Sequence, residues 1–132
     1  MEVLPMRKHA ALRQSDVLSV LQRHDKPMTA YEILGRMKTD EPDLAAPTIY
    51  RALAALTDQG RAHRLESMKS FVPCRCEHAD SLPVLAVCED CGAVEEQDGS
   101  PLLSGLREIS SRIGFAGARH IIEIQGQCRD CA

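Results

Sequence analysis

The chain of 132 residues has no tryptophan, two tyrosines and two phenylalanines, so a core of stacked rings is excluded and any core must be aliphatic. Hydrophobic residues still make up 44%, which at this length is enough for one domain or two small lobes. No apolar run approaches the ~20 residues needed to cross a bilayer as a helix. The opening stretch MEVLPMRKHAALRQ has no signal-peptide apolar region, which gives the expectation of a soluble cytoplasmic chain without a membrane partner. There is no His-Glu-x-x-His and no His-x-Glu followed by Pro-Cys-x-x-Cys. The patterns that carry zinc hydrolysis and nucleobase deamination are therefore missing, and neither an enzyme nor a small-molecule substrate is expected.

Charge is also unevenly missing. The net charge of −3 looks wrong for a nucleic-acid binder, but the average hides a split. Residues 1–78 carry 12 Lys/Arg against 10 Asp/Glu, whereas residues 79–132 carry 4 against 9 and no lysine at all. Only the first part has a balance compatible with lying on phosphates.

That first part reads as three helices and a hairpin. In HAALRQSDVLSVLQRHD, Leu12, Val17, Leu18 and Leu21 recur at near-helical spacing. Thr29 and Glu32 form a capping box before Ile33, Leu34 and Met37. EPDLAAPTIYRALAALTDQG is the clearest helix, with Pro47 in its first turn and Gly60 as its left-handed stop. RAHRLES and KSFVP then alternate as two short strands. This is the order of a winged helix-turn-helix, whose second turn helix enters the major groove of double-stranded DNA. On a wheel, Ile49, Ala52, Leu53 and Leu56 share the core side, and Tyr50, Arg51, Ala54 and Ala55 the opposite arc. An arginine on that arc can grip guanine through two hydrogen bonds.

The second part reads as an α/β unit. LPVLAVCED and GAVEEQD are strands across a turn, and ARHIIEIQG is a third. Between them SPLLSGLREISSRIG is a helix, with Ser100 as N-cap, Pro101 at its first position and Gly114 as stop. Leu102, Leu103, Leu106, Ile109 and Ile113 form its apolar stripe. Such a unit has exposed sheet edges and pairs with a copy of itself, which predicts a homodimer.

Two Cys-x-x-Cys pairs, Cys88/Cys91 and Cys128/Cys131, follow a strand turn and a strand end. In a cytoplasmic chain such thiols are metal ligands rather than disulfides. Two pairs on neighbouring strands give a four-thiolate structural zinc site. A thioredoxin-like redox pair is the alternative, but it should open a helix, and here a glycine and a strand follow.

The stretches APTIYRALAALTDQGRAHRLES, FVPC, CEDCGAVEE, GFAGARHIIEIQGQC and CRDC together resemble the ferric uptake regulator family. HRLES…FVPC is most similar to its zinc-uptake-regulator branch. The resemblance spans roughly residues 15–131. It implies an α+β fold with a winged-helix DNA-binding lobe (1–75), a hinge (76–82) and an α/β dimerisation lobe (83–132). It further implies a zinc-responsive repressor that binds operator DNA as a dimer. A regulatory zinc would be held by His63, Cys74, His78 and Glu96, with Cys76 or Asp80 as alternatives to His78, and Glu95 to Glu96. Tyr31, Thr48 and Arg13 join Tyr50 and Arg51 as the expected DNA-binding residues. Arg13, Arg7 and Lys8 stand near LRQS, where the family has a different motif. The family's histidine cluster is missing, which leaves His120 as the remnant of a further metal site or as a structural residue. A thiolate at Cys74 favours zinc over manganese or iron(II). An iron, manganese or peroxide sensor of the same family is the alternative, and a zinc-ribbon interaction module a more remote one.

Overall fold

The computed structural model describes residues 9–24, 26–75 and 82–132. Of the hinge expected at 76–82, only Leu82 lies inside the described residues; His78, Cys76 and Asp80 lie outside them, as do Arg7 and Lys8. The chain divides into two compact units, Met1–Cys74 and Arg75–Ala132.

In the first unit, α1 (Ala10–Arg23), α2 (Ala30–Met37) and α3 (Ala46–Asp58) precede an antiparallel hairpin of β1 (Ala62–Leu65) and β2 (Ser70–Pro73). α1 buries Val17, Leu18 and Leu21 but leaves Leu12 59% exposed. Leu12 and Leu21 are nine residues apart, about two and a half helical turns, so they fall on opposite faces and Leu12 leaves the expected stripe. α2 starts at the expected capping box. The Glu32 amide donates to Thr29 Oγ1 (3.2 Å), and the Thr29 amide donates to Glu32 Oε1 (3.0 Å). Ile33 and Met37 are buried, and Leu34 packs at the edge of the same core. α3 buries Ile49, Ala52, Leu53 and Leu56, as the wheel requires. After it, Gly60 takes φ +71°, a left-handed turn that a side chain would strain. The hairpin register sets His63 opposite Val72 and Arg64 opposite Phe71. One feature escapes local patterning. Met28 exchanges backbone hydrogen bonds with Phe71 (3.1 and 2.8 Å), so the approach to α2 covers the edge of β2.

In the second unit, β3 (Pro83–Cys88), β4 (Val94–Asp98) and β5 (Ile122–Gly126) form one sheet in the order β4-β3-β5. β3 runs antiparallel to β4 and parallel to β5, with α4 (Leu103–Arg112) on the crossover. Ser100 does not cap that helix. Ser100–Leu102 form a 3₁₀ turn, and the Ser100 amide donates to Asp98 Oδ1 (3.0 Å). The Asp98 carboxylate takes the capping role one step earlier, and the chain tightens before the α-helix begins. The apolar stripe of α4 forms, but no residue of the helix is buried. Leu102 (55%), Ile109 (57%) and Ile113 (76%) face outward. No described helix is long and apolar enough to cross a membrane.

Candidate functional site

The parallel pairing of β3 with β5 decides the thiol geometry. Its register places Cys88 opposite Gly126, two residues before Cys128. The turn after β3 is closed by the Gly92 amide, which donates to the Cys88 carbonyl (3.0 Å), with Gly92 at φ +76°. At the chain end the Cys131 amide donates to the Cys128 carbonyl (3.0 Å). Two similar turns therefore face each other. They are tied by Glu89 N to Gly126 O (2.7 Å) and by Gln127 Nε2 to Asp90 Oδ2 (2.7 Å).

The sulfurs of Cys88, Cys91, Cys128 and Cys131 all lie within 4.8 Å of one another. Sulfurs placed ~2.3 Å from a tetrahedral ion stand about 3.8 Å apart. Cys91 Sγ and Cys128 Sγ are separated by 3.7 Å, so the donor set fits such an ion. Cys88 is buried and accepts hydrogen bonds from the amides of Cys91 (3.4 Å) and Cys128 (3.3 Å). These amides, in that order, pull its thiol down to about 6, so its thiolate form is favoured near neutrality. Cys131 is pushed up to about 12, first by Cys128 and then by Cys88 and Cys91. The Ala93 amide pulls Cys91 down, but the Cys88 and Cys128 thiols and burial outweigh it and leave it raised. Four crowded thiols that cannot all ionise alone are what a divalent cation relieves.

A second pair of ligand types sits on the wing of the first unit. His63 is buried on β1. Cys74 is half-buried just beyond β2, where its amide donates to the Arg61 carbonyl (2.9 Å). A ring nitrogen of His63 lies within 4.8 Å of Cys74 Sγ. In the second unit Glu96 is half-buried on β4 and accepts from the Arg75 amide (3.1 and 3.3 Å), while neighbouring Glu95 is exposed. His120 is half-buried, with its ring against Gly117.

The expected DNA-facing residues surround α3. Tyr50 and Arg51 are exposed, and Ala54 with them. Tyr31 of α2 meets Tyr50 edge-on, with ring centroids 6.3 Å apart and planes at 83°. Both tyrosines of the chain thus stand on one surface. Arg51 Nε donates to the Pro47 carbonyl (3.3 Å), which lays the side chain back along its own helix. Thr48 is half-buried at the start of α3.

Arg13, expected at the DNA, is engaged within the first unit. Its guanidinium makes two hydrogen bonds to the Glu41 carboxylate, 2.8 and 2.9 Å, and its side chain is only 11% exposed. Both forks of the group are directed at a protein carboxylate rather than presented outward to a phosphate. Glu41 escaped the sequence reading, and no local signal marks it, since 28 residues separate the partners.

Comparisons with known proteins agree with this architecture. Residues 8–125 match the model of the ferric uptake regulator family. The chain is 32% identical to the zinc uptake regulation protein of Escherichia coli (strain K12) over 117 residues, covering 88% of this chain and 68% of that one. A solved structure of a zinc uptake regulator complexed with zinc and DNA superposes with a TM-score of 0.82 at 30% identity, covering 89% of this chain and 79% of that one. The crystal structure of holo XcZur gives a TM-score of 0.78 at 29% identity, covering 89% and 82%. With residues 8–125 of its 132 matched by that model, the chain belongs to the ferric uptake regulator family.

Proposed function

We propose that this protein is a zinc-responsive transcriptional repressor, which binds double-stranded operator DNA as a homodimer in the cytoplasm and catalyses no reaction. The observation that carries the reading is the His63–Cys74 pair. It puts an imidazole and a thiol within 4.8 Å of each other in the wing of the unit that bears α3. A zinc-ribbon interaction module has no need of ligands there. The soft thiol favours zinc over manganese or iron(II).

Cys88, Cys91, Cys128 and Cys131 would hold a structural zinc, closed to water because all four positions are protein sulfurs. His63 and Cys74 would hold the regulatory one. The sequence resemblance adds Glu96 and His78 as further ligands, with Cys76 or Asp80 in place of His78. When bound, the ion supplies a divalent charge that neutralises the thiolate and carboxylate. Tyr31, Thr48, Tyr50 and Arg51 would meet the major groove, with Arg51 swinging off Pro47 onto a base edge and the tyrosines flanking it. The exposed stripe of α4 would lie against a second copy of the chain.

Regulation requires that zinc bind the DNA-competent state more tightly than the other. A 100-fold gain in DNA affinity corresponds to about 2.7 kcal/mol of coupling, and operator DNA must tighten zinc binding by the same factor. Cys74→Ser is the test. The variant is expected to remain a dimer with its four-thiol zinc, while the zinc dependence of DNA binding is blunted in a titration against buffered free zinc. Tight binding with unchanged zinc dependence would overturn the regulatory assignment.

A further inference from the structure

Resting on the DNA-binding reading above, we infer that Arg13 and Glu41 act as a positioning pair that sets where the recognition helix α3 begins. Arg13 sits in α1, and Glu41 sits in the turn between α2 and α3. That turn leads into α3, so its geometry sets how the second helix is presented.

Glu41 is held on both sides. Its amide donates to the Met37 carbonyl at the end of α2 (3.0 Å). Its carbonyl accepts from the Leu44 amide (3.1 Å), and Leu44 is buried in the core just ahead of α3. Pro42 follows and narrows the backbone choices of Glu41 further. Two parallel charge-assisted hydrogen bonds from Arg13 then pin this stiff residue to α1 in one orientation. A lysine could match the charge but not the fork.

The pair also borders the proposed DNA surface. Arg13, Glu41, Thr48 and Arg51 line one groove of about 670 Å³. There the Arg13 guanidinium compensates the Glu41 carboxylate. Withdrawing Arg13 to contact DNA would leave Glu41, whose side chain is only 31% exposed, without that compensation. The geometry therefore favours Arg13 holding the helix over Arg13 touching the backbone of DNA.

The two roles predict opposite signs for one variant. If Arg13 contacts phosphate, Glu41→Gln releases it and DNA binding strengthens. If the pair positions α3, Glu41→Gln and Arg13→Gln each weaken binding, and the double variant is no weaker than the worse single. The probe is a duplex selected from a random-sequence pool by the zinc-loaded full chain, with an unselected duplex as control. A loss of about tenfold is expected on the selected duplex for each single variant. The dependence of log affinity on log salt should stay unchanged in each. A phosphate contact would instead lower that slope by roughly 1. Should the single variants unfold, the exchanged pair Arg13→Glu with Glu41→Arg provides the check, since it restores an ion pair but presents no arginine from α1. Recovery of selective binding supports positioning. Stronger binding by Glu41→Gln, a reduced slope for Arg13→Gln alone, unchanged binding by both, or a folded exchanged pair that cannot discriminate duplexes would each overturn it. A pool that yields no enriched duplex at all would overturn the DNA reading itself, and this inference with it.

Discussion

The two units reach order by different means. The first buries a continuous aliphatic core in which Val17, Ile33, Ile49 and Leu56 are fully enclosed. The second buries Leu82, Leu85, Val87 and Cys88 but leaves Leu102, Ile109, Ile113, Phe115 and Ile124 largely outside. Each aliphatic side chain fully removed from water contributes about 1.5–3 kcal/mol, so the first unit has its stabilisation inside itself. The second has a sheet and four converged thiols, with an apolar helix face still turned outward. A metal clip and a second copy are the two means by which such a unit completes its burial. The contrast is between a unit with an enclosed core and a unit whose apolar helix face and converged thiols are left to be completed.

The largest expected effect comes from the metal clip. Cys131→Ser should lose about one zinc per chain and melt the second unit while the first keeps its helices. Metal analysis together with hydrogen exchange reads both halves, and unchanged zinc content would remove the clip from the comparison. A comparable blow to the first unit needs a core deletion. Leu53→Ala, at a position 1% exposed, should cost about 2–5 kcal/mol in denaturant unfolding. Its counterpart Ile113→Asp, at a position 76% exposed, should leave the fold of the single chain nearly intact and shift sedimentation from dimer to monomer. If Ile113→Asp behaves like Leu53→Ala, the two units do not differ as described.

Function in the first unit should separate from stability. Arg51→Ala is expected to cost roughly 1–3 kcal/mol on a selected duplex and little on random DNA, with unfolding unchanged. Equal losses on both duplexes would make Arg51 a phosphate contact. The smallest effect is the α2 cap. Thr29→Ala should cost about 1 kcal/mol. The hydrogen bond from the Thr29 amide holds the Glu32 carboxyl below the usual glutamate range. A depressed folded value means the cap contributes fully above the unfolded glutamate range and fades as pH falls through the folded value. Glu32→Gln should therefore flatten the acid limb of the first unit's stability curve, and an unaltered limb would remove the cap from the account.

Much of the first unit is legible in the sequence because its signals are local. The Thr29–Glu32 box, the period of Ile49, Ala52, Leu53 and Leu56, and Gly60 each act within a turn or two of helix. Leu12 leaves the stripe because near-periodicity over nine residues hides a half-turn of drift. Ser100 does not cap because Asp98, two residues earlier, accepts from the Ser100 amide and draws the chain into a 3₁₀ turn there. The four-thiol cluster was legible from spacing, since Cys-x-x-Cys is itself a local turn and both pairs adjoin strands.

By itself, the sequence determined which segments are helices and strands, which faces are apolar, and which six thiols and few histidines are available for metal. These follow from dihedral preferences, side-chain period and turn chemistry, all of which operate over a few residues. Only the tertiary structure decided that β5 lies parallel beside β3, bringing Cys128 within 3.3 Å of the Cys88 sulfur through its amide. It alone turned Arg13 from the solvent toward Glu41 and set Met28 against Phe71. These partners stand 40, 28 and 43 positions apart. At such separations no local preference reaches from one residue to the other, and it is packing of whole elements that chooses the neighbour.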